Sequence, residues 1–149
     1  MAGSSNEDAG ELIERAAHTA HTIACHLHLL ITACSAHAGT WLRLNAGAFA
    51  DGMQELSECT VELADQLDGM PVAADVEVRE QVDECWRIAT RVSGLLRLMS
   101  DSACESRLVV LEVGAESLLA SLQHWAERMQ RIAGTLEGIG GRVALTCAN

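Results

Sequence analysis

Runs of apolar residues at unbroken 3,4 spacing constrain this chain more than any other feature. Leu108, Leu111, Ala115, Leu118, Leu122, Trp125, Met129, Ile132 and Leu136 form one such run, and Val78, Val82, Cys85, Ala89, Val92, Leu96 and Met99 form another. A third joins Leu42, Ala46, Phe49, Met53, Leu56, Leu63 and Leu67, with Thr60 as its single polar member. Residues three and four apart lie on one face of a helix, so each run marks a helix with a core-facing stripe. The first forty residues add a seam of smaller side chains at Ile13, Ala17, Ala20, Ala24, Leu27, Ile31 and Cys34. Aromatics are only 3%, and the single proline, Pro71, leaves long helices uninterrupted.

Cap signals set the expected boundaries. Ser5 with Asp8 resembles a capping box opening a first helix at about 6–38, which Gly39 breaks. A second helix is expected at about 41–68, stopped by Gly69-Met70-Pro71, with a looser second apolar stripe on the first helix at Leu12, Ala16, Ile23 and Leu30. Asp75 caps a third helix at about 75–100. Ser102 with Glu105 opens a fourth at about 103–138, fraying at Gly134, Gly138, Gly140 and Gly141 into a loose tail. Short links make antiparallel neighbours, so the expectation is one all-α domain over 1–149, an antiparallel up-down-up-down four-helix bundle.

Charge and cysteine usage narrow the function classes. The net charge of -11 repels phosphate backbones, which argues against nucleic acid as a partner. Met1 to Gly10 carries no basic, apolar export signal, so the six cysteines read as reduced thiols in a cytoplasmic protein. Ala16 to Leu42 has no charged residue across 27 positions, but its five His and several Ser and Thr speak against a membrane span. A helix without a charged face is normally buried on most sides. The first helix is therefore expected to pack against a second subunit, making the protein a homo-oligomer.

The chemistry-bearing residues lie on that helix. His18, His21, Cys25 and His28 share a stripe on which each consecutive pair is three or four residues apart and can converge on one ion. Imidazole and thiolate suit Zn(II) and Cu(I), with further ligands expected from Cys59, Cys85, Cys104 or His124, or from the same stripe of a second subunit. The bland reading of the stripe is polar side chains hydrogen-bonding across a subunit interface, and that of Cys34, Cys59 and Cys85 is small core hydrophobes. His26 and His37 fall on other faces. No Glu-x-x-His, His-Glu-x-x-His, Cys-x-x-Cys or Gly-rich phosphate loop occurs, which argues against di-iron chemistry and, more generally, against an enzyme.

The spacing of His18, His21, Cys25 and His28, the segment Leu42-Arg43-Leu44-Asn45 at the expected start of the second helix, and Cys85 on the third together resemble the cytosolic four-helix-bundle copper storage proteins. The resemblance implies a Cu(I)-binding bundle. Ala89, Val92 and Leu96 stand where that family carries cysteine, so it implies one or a few His/Cys sites rather than bulk storage. Three functions follow: a metal-binding bundle holding Cu(I) or Zn(II), a non-catalytic oligomeric helical assembly or adaptor, and a haem-type cofactor protein or enzyme on the same scaffold.

Overall fold

The structure, a computed structural model, describes residues 3–37, 39–71 and 75–148, with side chains between Ala9 and Val143. Four helices alternate in direction: α1 (Gly3–Ser35), α2 (Ala46–Asp68), α3 (Val76–Glu105) and α4 (Ala115–Ala148). The all-α four-helix arrangement expected from the seams is present. At one end of the bundle the chain also forms a two-stranded antiparallel ribbon of β1 (Trp41–Asn45) and β2 (Val110–Gly114), which was not expected.

The ribbon corrects three boundaries. Residues 41–45 are a strand rather than the start of the second helix, so Leu42-Arg43-Leu44-Asn45 opens no helix. Ser102 and Glu105 sit in the closing turns of α3, and the fourth helix starts at Ala115 rather than 103. Leu108 and Leu111 therefore leave the helical seam. The reason is local. Trp41, Arg43 and Asn45 point outward while Leu42 and Leu44 are half-buried, the period of two that a one-sided strand requires. Val109, Val110 and Val113 bring the branched side chains that strands favour. Leu42–Ala46 and Leu108–Leu111–Ala115 also satisfy the helical spacing, and over five residues the two periods do not separate.

Both ends of the chain are more helical than expected. The helix α1 already starts at Gly3, which puts Ser5 and Asp8 inside it, and α4 passes its glycines without fraying and runs to Ala148. Glycine in a helix costs about 1 kcal/mol against alanine. Burying Ile132, Leu136 and Ile139 offsets this, at roughly 1.5–3 kcal/mol per side chain. Two caps are side-chain built. The Asn45 carboxamide accepts the Ala48 N–H at 2.9 Å, and the Asp75 carboxylate accepts the Glu77 N–H at 2.9 Å.

A single offset relates the two halves of the chain. Trp41 of β1 corresponds to Val110 of β2, 69 residues on, and Ala46 at the head of α2 corresponds to Ala115 at the head of α4. The same offset carries buried positions onto buried positions: Ile13 onto Val82, Ala20 onto Ala89, Leu27 onto Leu96, Leu63 onto Ile132 and Leu67 onto Leu136. In the ribbon Arg43 faces Glu112, its own counterpart, so a pseudo-twofold axis passes between them. The helices obey it, α1 packing chiefly on α4 and α2 on α3. So do the ribbon's closing bonds. The Ala46 N–H donates to the Val109 carbonyl at 3.0 Å, and the Ala115 N–H to the Thr40 carbonyl at 2.9 Å. The molecule is thus two helix–strand–helix units, each supplying one helix to each tightly packed pair.

Candidate functional site

The twofold provides an internal control for the unusual first helix, because α3 occupies the equivalent place. The offset puts Arg87, Arg91, Arg97 and Asp101 of α3 where α1 has His18, Thr22, His28 and Thr32, and all eight are exposed. A helix in this position is therefore free to carry charge, and α3 does. The hydroxyls of α1 are also turned inward. Thr19, Thr22, Thr32 and Ser35 each donate to the carbonyl four residues back, at 3.0, 3.0, 2.9 and 2.7 Å. Bonds of this kind satisfy the hydroxyl on its own helix. Leu29, 69% exposed, stands on the same face.

The four stripe residues divide in two. His21 and His28 lean toward α4. His21 Nε2 lies 2.5 Å from a Glu137 carboxylate oxygen, and the Gln130 side-chain nitrogen donates to His28 Nε2 at 2.7 Å. His18 and Cys25 face outward, exposed and one apart in the heptad sense. Two of the further expected ligands lie elsewhere. Cys59, half-buried on α2, borders a cleft opposite His26, and Cys85 is buried on α3. Among the described residues no group of three or more His, Cys, Asp and Glu side chains is placed to hold a metal ion. His18, His21 and His28 lie on exposed helix surface.

The buried thiols are held in their neutral form. Burial pushes the Cys85 thiol up to about 11, although the Thr135 hydroxyl bonded to it pulls the other way. Burial also raises Cys59, helped by the carboxylates of Glu62, Glu55 and Glu58, and burial alone raises Cys34. Since the thiolate is both the nucleophile and the metal ligand, these three behave as small apolar side chains.

Sequence reasoning did not find an apolar groove on the α1 side of the ribbon. It measures about 450 Å³ and is walled by Leu30, Cys34, Phe49, Met53, Leu118 and Leu122. Its rim carries His37, Arg43 and Trp41, the last 72% exposed. A second cleft of about 580 Å³ between α1 and α2 shares Leu30, Phe49 and Met53 with it, so the two are continuous. The signal in the sequence was Trp41, a large aromatic that lies beside the seam starting at Leu42 rather than in it.

No known protein-family profile, curated protein or solved structure matches the chain. Among the described residues, no helix is long and apolar enough to cross a membrane.

Proposed function

We propose that this protein is a non-catalytic, self-assembling helical module whose subunits meet through the outer face of α1. One observation carries the reading: α1 shows solvent an uncharged face with its hydroxyls turned inward, at positions where its symmetry-equivalent helix shows Arg87, Arg91, Arg97 and Asp101. A chain of net charge -11 repels its own copies over most of its surface. Glu11 and Glu14 lie on the same stripe near its start, but from His18 to Ser35 α1 itself carries no carboxylate, and there two copies meet with less of that penalty. Light scattering on the purified protein at about ten micromolar tests this. The expected result is an oligomer that dissociates when His18→Arg, Thr22→Arg and His28→Arg transplant the α3 residues onto α1, with the circular-dichroism melt retained. A wild-type monomer at that concentration overturns it.

A second reading has a specific observation of its own. His18 and Cys25 are outward-facing donors without a side-chain partner among the described residues, and His21 keeps Nδ1 free while Glu137 engages Nε2. A carboxylate behind a histidine orients it for a metal. Two α1 helices facing each other double the donors at each level, so an ion of Zn(II) or Cu(I) between copies draws ligands from both. Elemental analysis of protein purified without chelators is the test. Metal at a fixed ratio to the oligomer, lost in His21→Ala/Cys25→Ala, supports it, and metal-free oligomer removes it.

A further inference from the structure

The rim of the apolar groove is not a requirement of the fold, because the twofold shows which residues stand at the same places on the α3 side. The offset maps rim residues Trp41, His37 and Arg43 onto Val110, Ser106 and Glu112, and wall residues Ala33 and Cys34 onto Ser102 and Ala103. The α3 side therefore carries a smaller, more polar and acidic version of the rim. The α1 side is enlarged, aromatic and basic. Phe49, Met53, Leu118 and Leu122 lie at the shared floor, and they are mates of one another across the axis.

The groove's chemistry is correspondingly asymmetric. Its walls are hydrocarbon, and the Cys34 thiol among them is kept neutral by burial. Its polar groups are confined to the rim and are donors: the Arg43 guanidinium and the His37 imidazole. Glu112 lies 3.8 Å from Arg43, and both side chains are well exposed. That separation exceeds hydrogen-bonding distance, so the guanidinium fork stays available to a planar anion. The volume falls within the range of roughly 300–1,000 Å³ typical of small-molecule sites, and the cleft toward Cys59 extends it along α1.

We propose that this groove binds a free, medium-chain aliphatic carboxylate, its hydrocarbon tail between Leu30, Phe49 and Leu118 and its carboxylate on Arg43 at the rim. The tail removes apolar wall from water, which supplies most of the driving force. The charge-assisted bond to Arg43 sets the orientation and rejects cationic heads. Trp41 closes over the chain at the mouth, which accounts for so large an aromatic standing 72% exposed in the free protein. The groove's own lining does not include His18 or Cys25, so the proposal stands without self-assembly, although the adjoining cleft reaches Leu29 on the outer face of α1.

Titration calorimetry with dodecanoate, kept below its micelle concentration, tests the site on the full chain, with tryptophan emission recorded in parallel. The expected result is saturable binding of one dodecanoate per chain with a blue shift of emission that Trp41→Phe abolishes. Arg43→Gln is expected to weaken dodecanoate about tenfold while leaving dodecanol unchanged. Glu112→Gln, which removes the competing carboxylate, is expected to strengthen it a few-fold. All three positions are exposed, so the variants keep the fold, and a circular-dichroism melt verifies this. Absence of saturable binding, or binding of dodecylammonium as tight as dodecanoate, overturns the proposal. A blue shift that persists in Trp41→Phe places the ligand elsewhere and overturns it as well. Binding that appears only on dilution of an oligomer shows a second copy seated in the groove, and this too defeats it.

Discussion

The α1–α4 pair and the α2–α3 pair occupy equivalent places and are fastened differently. Between α2 and α3, serines cross the interface inside the core. Ser57 Oγ donates to the Ser93 carbonyl at 3.1 Å, and Ser100 Oγ to the Ala50 carbonyl at 2.8 Å. The counterparts of Ser57 and Ser93 in the other pair are Ala126 and Ala24, both buried and incapable of such a bond. There the interior is alanine, with Ala16, Ala17, Ala20 and Ala133 beside them, and the polar links His21–Glu137 and His28–Gln130 sit at the exposed seam. One pair is stitched within; the other is smooth within, and its α1 carries no charge from Ala16 to Ser35. The difference teaches that the bundle's stability and its outer surface are separable. Each half keeps the apolar positions that the fold requires and has changed the rest.

Measurements can break or sharpen that contrast. The largest effect is expected from the shared core. Leu63→Ala and its mate Ile132→Ala should each cost about 2–5 kcal/mol in denaturant unfolding. Similar losses support the equivalence of the two pairs, and a loss confined to one of them breaks it. Next is the buried thiol. In the folded protein Cys85 is raised from the ordinary value of 9.0 to about 11, so its contribution is fully present below pH 9 and lost as pH climbs toward 11. Its mate is Ala16. Cys85→Ala should therefore flatten the alkaline stability profile between those values, a difference of up to about 2–3 kcal/mol. In the wild-type protein dissociated to monomer, Cys25 should react with iodoacetamide before unfolding, and Cys85 only on unfolding.

A smaller effect is expected from the internal stitch. Ser57→Ala removes a bond worth about 1 kcal/mol and makes α2–α3 resemble the alanine-lined pair. An unchanged melting curve for this variant indicates that the serine bonds add register rather than stability. Smallest is the seam of the other pair, where Glu137→Ala breaks an exposed contact worth under about 1 kcal/mol. A larger loss in thermal melts would mean that the alanine-lined pair depends on its rim.

The helical seams were legible because long runs settle the period. The stripes at Val78–Leu96 and Leu118–Leu136 are buried as their spacing requires, and Thr60 fits its seam by donating to the Leu56 carbonyl at 2.7 Å. The ribbon was not legible, since five residues suit either period and its identity is fixed by the partner strand 69 residues away. The twofold was hidden for a related reason. Its identical pairs, such as Leu27/Leu96, Ala46/Ala115 and Leu67/Leu136, are the residues that any heptad supplies. The site was half legible. The stripe of His18, His21, Cys25 and His28 does share one side of α1, but which members turn to α4 depends on Glu137 and Gln130, and no spacing rule connects those to α1. Cys59 and Cys85 belong to other surroundings, which their own heptad positions already suggested.

The central rung of the ribbon has a further consequence. At a twofold axis between two separate, identical chains, a residue must face a copy of itself, so a basic residue there would oppose a basic one and an acid an acid. Here both units belong to one polypeptide, and the axial position is free to differ on its two sides. Arginine stands at 43 and glutamate at 112, facing each other across the ladder. Joining the units in one chain has thus permitted a complementarity that symmetry forbids to a dimer. It has also given the ribbon a polarity, a basic edge toward α1 and an acidic edge toward α3, so the two ends of an otherwise repeated structure can be told apart from outside.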